Sequence, residues 1–441
     1  MNAVTASEAA ALAGERARAT GALLDEVSRP QPLSLVVLVV LAGTSTSIAF
    51  HYVMGAYLHF KYPYSSFLFL PKDRFMDFFN VYDDAVRFHP GASSNMVYSP
   101  LLHAFMTVTT AVPAWLAFAV VLAAFLATLA ALLWKWTTAG LRVDPMVRVL
   151  HVAVLTFLAY PVLFVVDRGN LEMVVFVMLA AFFYLYYVRH SPWAWLPLSL
   201  AIASKYYWIT LVILLLLDRR VRQAILAVGG AVVVSAVAVL FLAGASGYSL
   251  TAVLASLRTT LDGHMGATGV LGIASHSHSL WAWVICIIRW SDYAFYWLPV
   301  NRIYTLSALL ILLLVVRRLW RGRFADWQKA TAIVACTLVL PFESMDYTLI
   351  HLYFPLTLFA IAAGRFRLKW VVAVLFALLL IPLDYYYFTF VFWRSLVSTS
   401  SLIYPMCLLG LIVAALWCGD PGEDSAELTV GSALAPAGER P

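Results

Sequence analysis

The sequence predicts an all-α polytopic membrane protein. Three observations carry that reading. Of the 441 residues, 63% are hydrophobic and only 12% charged, whereas a soluble domain carries roughly a quarter charged residues to cover its surface. The apolar stretches are long and continuous, too long for strands. The Lys and Arg residues gather in alternate connections between those stretches. A soluble enzyme and a disordered protein are both excluded. A hydrocarbon core about 30 Å thick needs roughly 20 apolar residues per helical crossing. The length therefore allows about ten to twelve transmembrane helices plus sizeable loops.

The first 32 residues are polar and Ala-rich, with Asp25 and Glu26 just ahead of the first apolar stretch. They lack the pattern of a cleavable signal peptide, so the first membrane helix, Leu33 to Tyr57, is expected to serve as the insertion signal. A single transmembrane domain is expected over residues 33–418, interrupted by two large loops at 58–100 and 244–301. Further apolar stretches lie at about 113–136, 148–166, 170–188, 194–217, 223–243, 302–318, 329–341, 348–363, 369–387 and 396–418. Residues 419–441 form a polar, acidic tail of disordered composition.

Orientation follows from the positive charges, which favour the cytoplasmic side. Lys135, Arg142 and Arg148, then Arg189, then Arg219, Arg220 and Arg222 fall in one set of connections. Arg317, Arg318, Arg321, Arg323 and Lys329, and then Arg365, Arg367 and Lys369, fall in the same set. Both termini are thus expected in the cytoplasm. The opposite set, rich in carboxylates and aromatics, faces outward. It comprises 58–100, the DRGN turn at 167–170, 244–301, the FESMDYT turn at 342–348, and 388–395. The stretch 194–217 lies between two cytoplasmic-type connections, is too short for two crossings, and carries Lys205 in its middle. It is expected to be a hairpin of two short helices that meet at Lys205, since broken helices at membrane depth occur where they line a cavity.

The net charge of +6 is accounted for by these basic connections, and no basic run with interleaved aromatics suggests a nucleic-acid partner. Cys286, Cys336, Cys407 and Cys418 sit in or beside apolar stretches and form no CxxC pair. Buried free thiols are the expectation. There is no Gly-rich phosphate loop and no GxSxG. The cytoplasmic connections are too small to hold a nucleotide, so a substrate must come through the membrane or from outside.

Loop 58–100 holds Asp73, Asp77, Asp83 and Asp84 among many aromatics. Its spacing predicts an amphipathic helix over 75–88 with Phe75, Phe78, Phe79, Tyr82 and Val86 as the apolar stripe. The plain alternative is an interfacial anchor with solvated carboxylates. Ionisable groups at membrane depth are costly and usually face a functional cavity. Arg168, beside Asp167 and Asn170, Lys205, His276, His278 and His351 are the candidates. A snorkelling lysine and a histidine satisfied by backbone are the competing readings. His276 and His278, two apart, make a weak metal motif without a third ligand at a diagnostic offset, so no metal is expected.

The order of these motifs forms a pattern: DFFNVYDDAV, then YSP, then AVPAW, then RGNLEMVVFVMLA, then LSLAIASKYYWITLVILLLLDRR, then HSL at 278–280. It resembles the polyprenyl-phosphate-dependent glycosyltransferases of the GT-C fold. Within them it is most similar to glycosyltransferase family 87, which includes mycobacterial mannosyltransferases of phosphatidylinositol mannosides. The resemblance spans roughly 75–360. This chain has Tyr98-Ser99-Pro100 where the pattern has Tyr-Pro-Pro, and HSHS where an Asn/Gln-Ser pair is expected.

The resemblance implies a membrane hexosyltransferase in the bacterial cytoplasmic membrane, working at its outer face without cofactor or metal. One sugar, mannose or another hexose, would pass from a polyprenyl-phosphate donor to a glycolipid or glycan acceptor. The family's acidic position falls on Asp77, five residues before Tyr82. Such a transfer needs a base for the acceptor hydroxyl but no acid for the phosphate leaving group. Asp77 is the first choice, with the Asp83–Asp84 pair second, and Asp77 and Asp84 are expected on one helix face. The leaving phosphate needs positive charge and donors, for which Arg168, Lys205 and His351 come first, then His276 and His278. Tyr82, Tyr98, Asn170 and Ser279 are expected to bind substrate, and a single displacement inverts the anomeric carbon. The competing functions are a lipid-linked sugar transporter or flippase, an oligosaccharide ligase, and a structural membrane subunit.

Overall fold

The computed structural model describes residues 31–87, 98–140, 144–259, 276–284, 297–362, 368–388 and 396–417. Nearly all of the expected N-terminal segment, the tail 419–441, Cys286, Cys418 and much of loop 244–301 lie outside the described residues. Cys336 and Cys407 are buried free thiols, as expected.

The architecture is a helical bundle. Helix α1 (Pro32–Tyr52) starts on a proline, whose missing N–H costs nothing in a first turn. Its first three turns are apolar on most sides, and Thr44 to Ser47 form a small polar run in its second half. Val36, Val37 and Val40 face the bundle, while Leu38 and Ile48 are exposed, as suits a helix with lipid on its outer side. The long apolar helices are Pro32–Tyr57, Ala114–Lys135, Val221–Ser246, Val300–Arg321 and Thr399–Trp417, five that suffice to cross a membrane by length and composition. A bent pair, Pro145–Phe157 with Tyr160–Arg168, brings this to six. The remaining apolar stretches fold as shorter helices of 10–17 residues. The chain is thus a helical polytopic membrane protein, with one short strand pair among the described residues, Tyr386–Phe388 against Leu396–Ser398.

Prolines explain where expected continuous helices break. The stretch 148–166 bends by 43° just before Pro161, which opens Tyr160–Arg168. The stretch 369–387 ends at Leu380 because Ile381 precedes Pro382 and is extended. The centre of the bundle is Asp326–Val339, buried from Trp327 to Val339 except at Lys329. Gln328 locks this helix at both ends of its amide. Its Oε1 accepts from Ala325 N at 2.8 Å, and its Nε2 donates to Ala415 O at 2.9 Å in the last helix.

The stretch 194–217 is the expected hairpin. Trp195–Ser204 ends where Lys205 turns extended, and a 3-10 turn, Tyr206–Leu211, leads into Val212–Leu217. The first arm lies beside Glu172–Phe183, and the second packs on Val221–Ser246 and Asp326–Val339. At one end Lys205 meets Glu172, and at the other Tyr186 donates to Asp218 at 2.5 Å. The chain therefore enters and returns on the side where Arg220 meets His190 at 3.4 Å. Lys205 sits at the tip.

Near that tip the DRGN turn clamps the first loop. Asp167 O accepts from Phe75 N at 2.7 Å, and Asp167 Oδ2 accepts from Phe69 N at 3.0 Å. Gly169 sits at φ +63°, and a Cβ there would stand 2.9 Å from Phe75 Cα. Only glycine tolerates both the left-handed backbone and that approach. Gly169→Ala is expected to destabilise the protein by at least about 1–2 kcal/mol from the backbone conformation alone. A drop in the thermal unfolding midpoint in detergent measures it; an unchanged midpoint would show that the clamp relaxes freely.

Candidate active site

The helix of loop 58–100 forms over Met76–Val86. Phe75 is its left-handed N-cap rather than its first turn. The buried face is Asp77, Phe78, Val81, Tyr82 and Ala85, so the expected stripe is corrected at Val86, which is 51% exposed. An acid therefore occupies the face expected to be purely apolar, because a cation waits beneath it.

That cation is Arg168. Its Nη2 and Nε donate to the two oxygens of Asp77, the latter at 3.3 Å. Asn170 Nδ2 donates to Asp77 Oδ2 at 2.6 Å and approaches the Tyr98 hydroxyl at 3.2 Å, while its Oδ1 accepts from Glu172 N at 3.0 Å. Asn170 thus caps the next helix and braces the acid at once. Arg168 lies over the Phe69 ring, 3.8 Å from its centre. Its Nη1 is buried without a hydrogen-bond partner among the described residues.

Lys205 completes the group. Its Nζ lies 3.5 Å from Glu172 Oε1 and 4.9 Å from the centre of the Tyr98 ring. Glu172 also accepts from Tyr207 at 2.5 Å and from His351 Nε2 at 2.9 Å. One connected cluster therefore holds Asp77, Arg168, Asn170, Tyr98, Lys205, Glu172, Tyr207 and His351. Burial pushes the Asp77 carboxyl above its usual range, opposed by the Arg168 guanidinium and the Asn170 amide.

Asp83, Asp84 and Tyr82 stand apart from this cluster, and His351 lies at its buried end. Asp84 lies two turns along its helix from Asp77 and lines a narrow groove with His103, Thr107, Leu242 and Ser246. Asp77 and Asp84 lie seven residues apart on one helix, about 10 Å of rise, with Asp77 against Arg168 and Asn170 and Asp84 on that groove. Asp83 is exposed. Tyr82 donates to Val112 O at 2.6 Å and anchors its helix to the Pro113 turn. His351 is fully buried behind Glu172, against Trp208 and Phe176, and serves the carboxylate rather than an open phosphate site.

His278 is also sealed. Its Nδ1 donates to Asp346 at 3.2 Å and its Nε2 accepts from Ser344 at 2.8 Å. Burial pushes its imidazole down to about 3, so it is neutral and offers a phosphate no charge. Ser279 is buried and turned inward, accepting from Ala282 N and donating to Phe342 O, both at 3.3 Å. His276 lies 3.8 Å from Asp384, while its Nε2 faces the Tyr62 hydroxyl at 3.3 Å. His276, Asp346 and Asp384 bring their ligand atoms within 4.8 Å of one another. This set keeps His276 but not His278, and draws its two carboxylates from distant segments, where local spacing gives no signal. The rings of Phe69 and Phe164 both stand near His276, and Phe69 also carries Arg168 on its face, so it lies between the two clusters.

The described residues thus form a polytopic helical bundle with two acids, Asp77 and Glu172, two cations, Arg168 and Lys205, and a bracing amide gathered near one end. The chain matches the family model of glycosyltransferase family 87 over residues 96–341, more than half its length, and belongs to that family. It is an integral membrane glycosyltransferase acting between a sugar donor and an acceptor. No curated protein and no solved structure matches the chain.

Proposed function

We propose that the protein moves one hexose, mannose being the first candidate, from a polyprenyl-phosphate donor to a glycolipid or glycan acceptor. The reaction takes place at the outer face of a bacterial cytoplasmic membrane. The observation that supports this most directly is the buried Arg168 Nη1, which has no hydrogen-bond partner among the described residues although Arg168 already grips Asp77. A buried unsatisfied donor is costly, and a phosphate oxygen would satisfy it. Lys205 adds a second positive charge on the same acid. The positive charges of the opposite connections favour placing this end outward.

Asp77 is the general base in this reading. It takes the proton of the acceptor hydroxyl as that oxygen attacks the anomeric carbon, and the carbon–phosphate oxygen bond breaks on the opposite side. The configuration inverts. Arg168 turns its free N–H groups to the departing phosphate, which loosens its hold on Asp77 at the moment the base is needed. Lys205 holds the phosphate as a point charge. The transfer step calls for no metal at the reacting atoms. Tyr98 and Asn170 position the sugar, and the lipid tail lies between helices.

The test is transfer of label from a polyprenyl-phosphate hexose pool to a membrane lipid extract by the protein purified in detergent. A new labelled glycolipid supports the reading. Tight donor binding with no transfer from any monophosphate donor would favour the flippase, which the hairpin around Lys205 suits, or a ligase using a diphosphate-linked chain. The pH profile supplies a second check. The base must be ionised, and burial raises its pKa, so kcat/KM should fall as pH drops through a value above the ordinary carboxylate range. A flat profile down to the ordinary range would count against Asp77.

A further inference from the structure

We propose that His276, Asp346 and Asp384 form a divalent-cation site for a transition metal of the zinc or manganese class. The three residues come from separate segments: the loop 276–279, the 3-10 turn Asp346–Leu352 and the connection after Lys369–Leu380. All three are buried, and one ligand atom from each lies within 4.8 Å of the other two. Ligands at about 2.1 Å around a tetrahedral ion stand about 3.4 Å apart, so small side-chain rotations close the set on an ion. One imidazole and two carboxylates suit a borderline divalent metal better than calcium or magnesium, which take oxygen alone.

Two further observations point to a ligand. The first is charge. Asp346 and Asp384 are each 0% exposed, and among the described residues the only basic side chains within 4 Å of their carboxylates are the imidazoles of His278 and His276. Two carboxylates without a Lys or Arg in contact are an expensive arrangement in a buried site, and a divalent cation balances it. The second is an unpartnered atom. Asp384 Oδ1 accepts from Ser400 at 2.6 Å, but its Oδ2 is buried with no hydrogen-bond partner among the described residues.

The surroundings also hold each ligand in place, as metal sites require. The Tyr62 hydroxyl lies 3.3 Å from His276 Nε2, which leaves Nδ1 turned to the carboxylates. Tyr160 and His278 each reach Asp346, both at 3.2 Å. Filled, the site pins three segments together beside the candidate active site and acts as a clamp apart from the reacting atoms. It does not rest on the sugar-transfer reading.

The experiment uses the full chain, purified in detergent without chelator and with its affinity tag removed. Elemental analysis is expected to find about one equivalent of zinc or manganese. Metal should be absent from Asp384→Asn and His276→Gln and retained in His103→Gln, whose histidine lies elsewhere. The wild-type protein is also stripped with chelator under mild unfolding and titrated with Zn2+ and Mn2+. One ion should raise its thermal unfolding midpoint and change its tryptophan fluorescence with a stoichiometric endpoint. If the variants do not fold, the stripped wild type decides. No stoichiometric metal together with no response to either ion would overturn the proposal and leave the cluster as an acid pair sharing a proton with a histidine. Sugar transfer is assayed separately, so its failure would not bear on the metal result.

Discussion

Asp77→Asn is expected to lower sugar transfer by about 10²–10⁴-fold, the usual worth of a positioned general base. The substitution keeps the shape and one acceptor oxygen but removes the charge. Two effects then overlap, because Asp77 is also the partner of Arg168. They can be told apart. Loss of the base lowers kcat at saturating donor and abolishes the acidic limb of the pH profile. Loss of the Arg168 anchor raises the KM for donor. If Asp77 only holds Arg168, the double variant Asp77→Asn with Arg168→Gln would be no worse than Arg168→Gln alone, and the defect would lie in KM. If Asp77 is the base, the double variant loses both and kcat falls further. Full activity of Asp77→Asn in a folded preparation would remove the residue from the mechanism.

The sequence carried the pieces of this cluster better than their assembly. Lys205 stood out because a lysine inside an apolar run is costly at membrane depth, and the hairpin around it followed from the run being too short for two crossings. Asp77, Arg168 and Asn170 stood out as polar residues at loop and turn positions. Their contact did not, because 91 residues separate Asp77 from Arg168 and no local period links them. Glu172 went unnoticed for a different reason. An acid in the first turn of a helix is ordinary, since it meets the positive end of the helix dipole, so nothing marked it as the shared partner of Lys205, Tyr207 and His351. His278 and His351 misled in the opposite sense. Histidines beside polar turns look available, but only packing shows that each has been sealed against a carboxylate.

Helix breaks divide in the same way. Pro161 marks the bend before Tyr160–Arg168, and Pro382 marks the end of the helix at Leu380; both lie inside stretches whose hydropathy alone reads as continuous. The amphipathic helix was legible in existence and length. Its exact face was not, because the ion pair to Arg168 turns Asp77 inward and leaves Val86 outside.

Glu172→Gln is expected to destabilise the protein by about 3 kcal/mol, toward the lower end of the 3–5 kcal/mol typical of breaking a buried ion pair from one side. The lower end follows from geometry. Glu172 is fully buried, but the Lys205 side chain is 17% exposed and keeps some access to solvent. The glutamine still accepts from Tyr207 or His351, so the missing quantity is the charge. Lys205 is then a cation at the hairpin tip without its contacting carboxylate, left over the face of Tyr98 with Asp77 as a more distant acid. Replacing both partners, Glu172→Gln with Lys205→Met, removes the stranded charge along with the bond. The double variant should recover most of the lost stability, since an uncharged pair of similar shape is often neutral in a buried site. It should not recover transfer, because Lys205 is gone from the phosphate. Thermal unfolding of the two single variants and the double variant in detergent measures the coupling. Additive losses would mean that Glu172 and Lys205 do not pair in the folded protein, and the hairpin tip would then need another anchor.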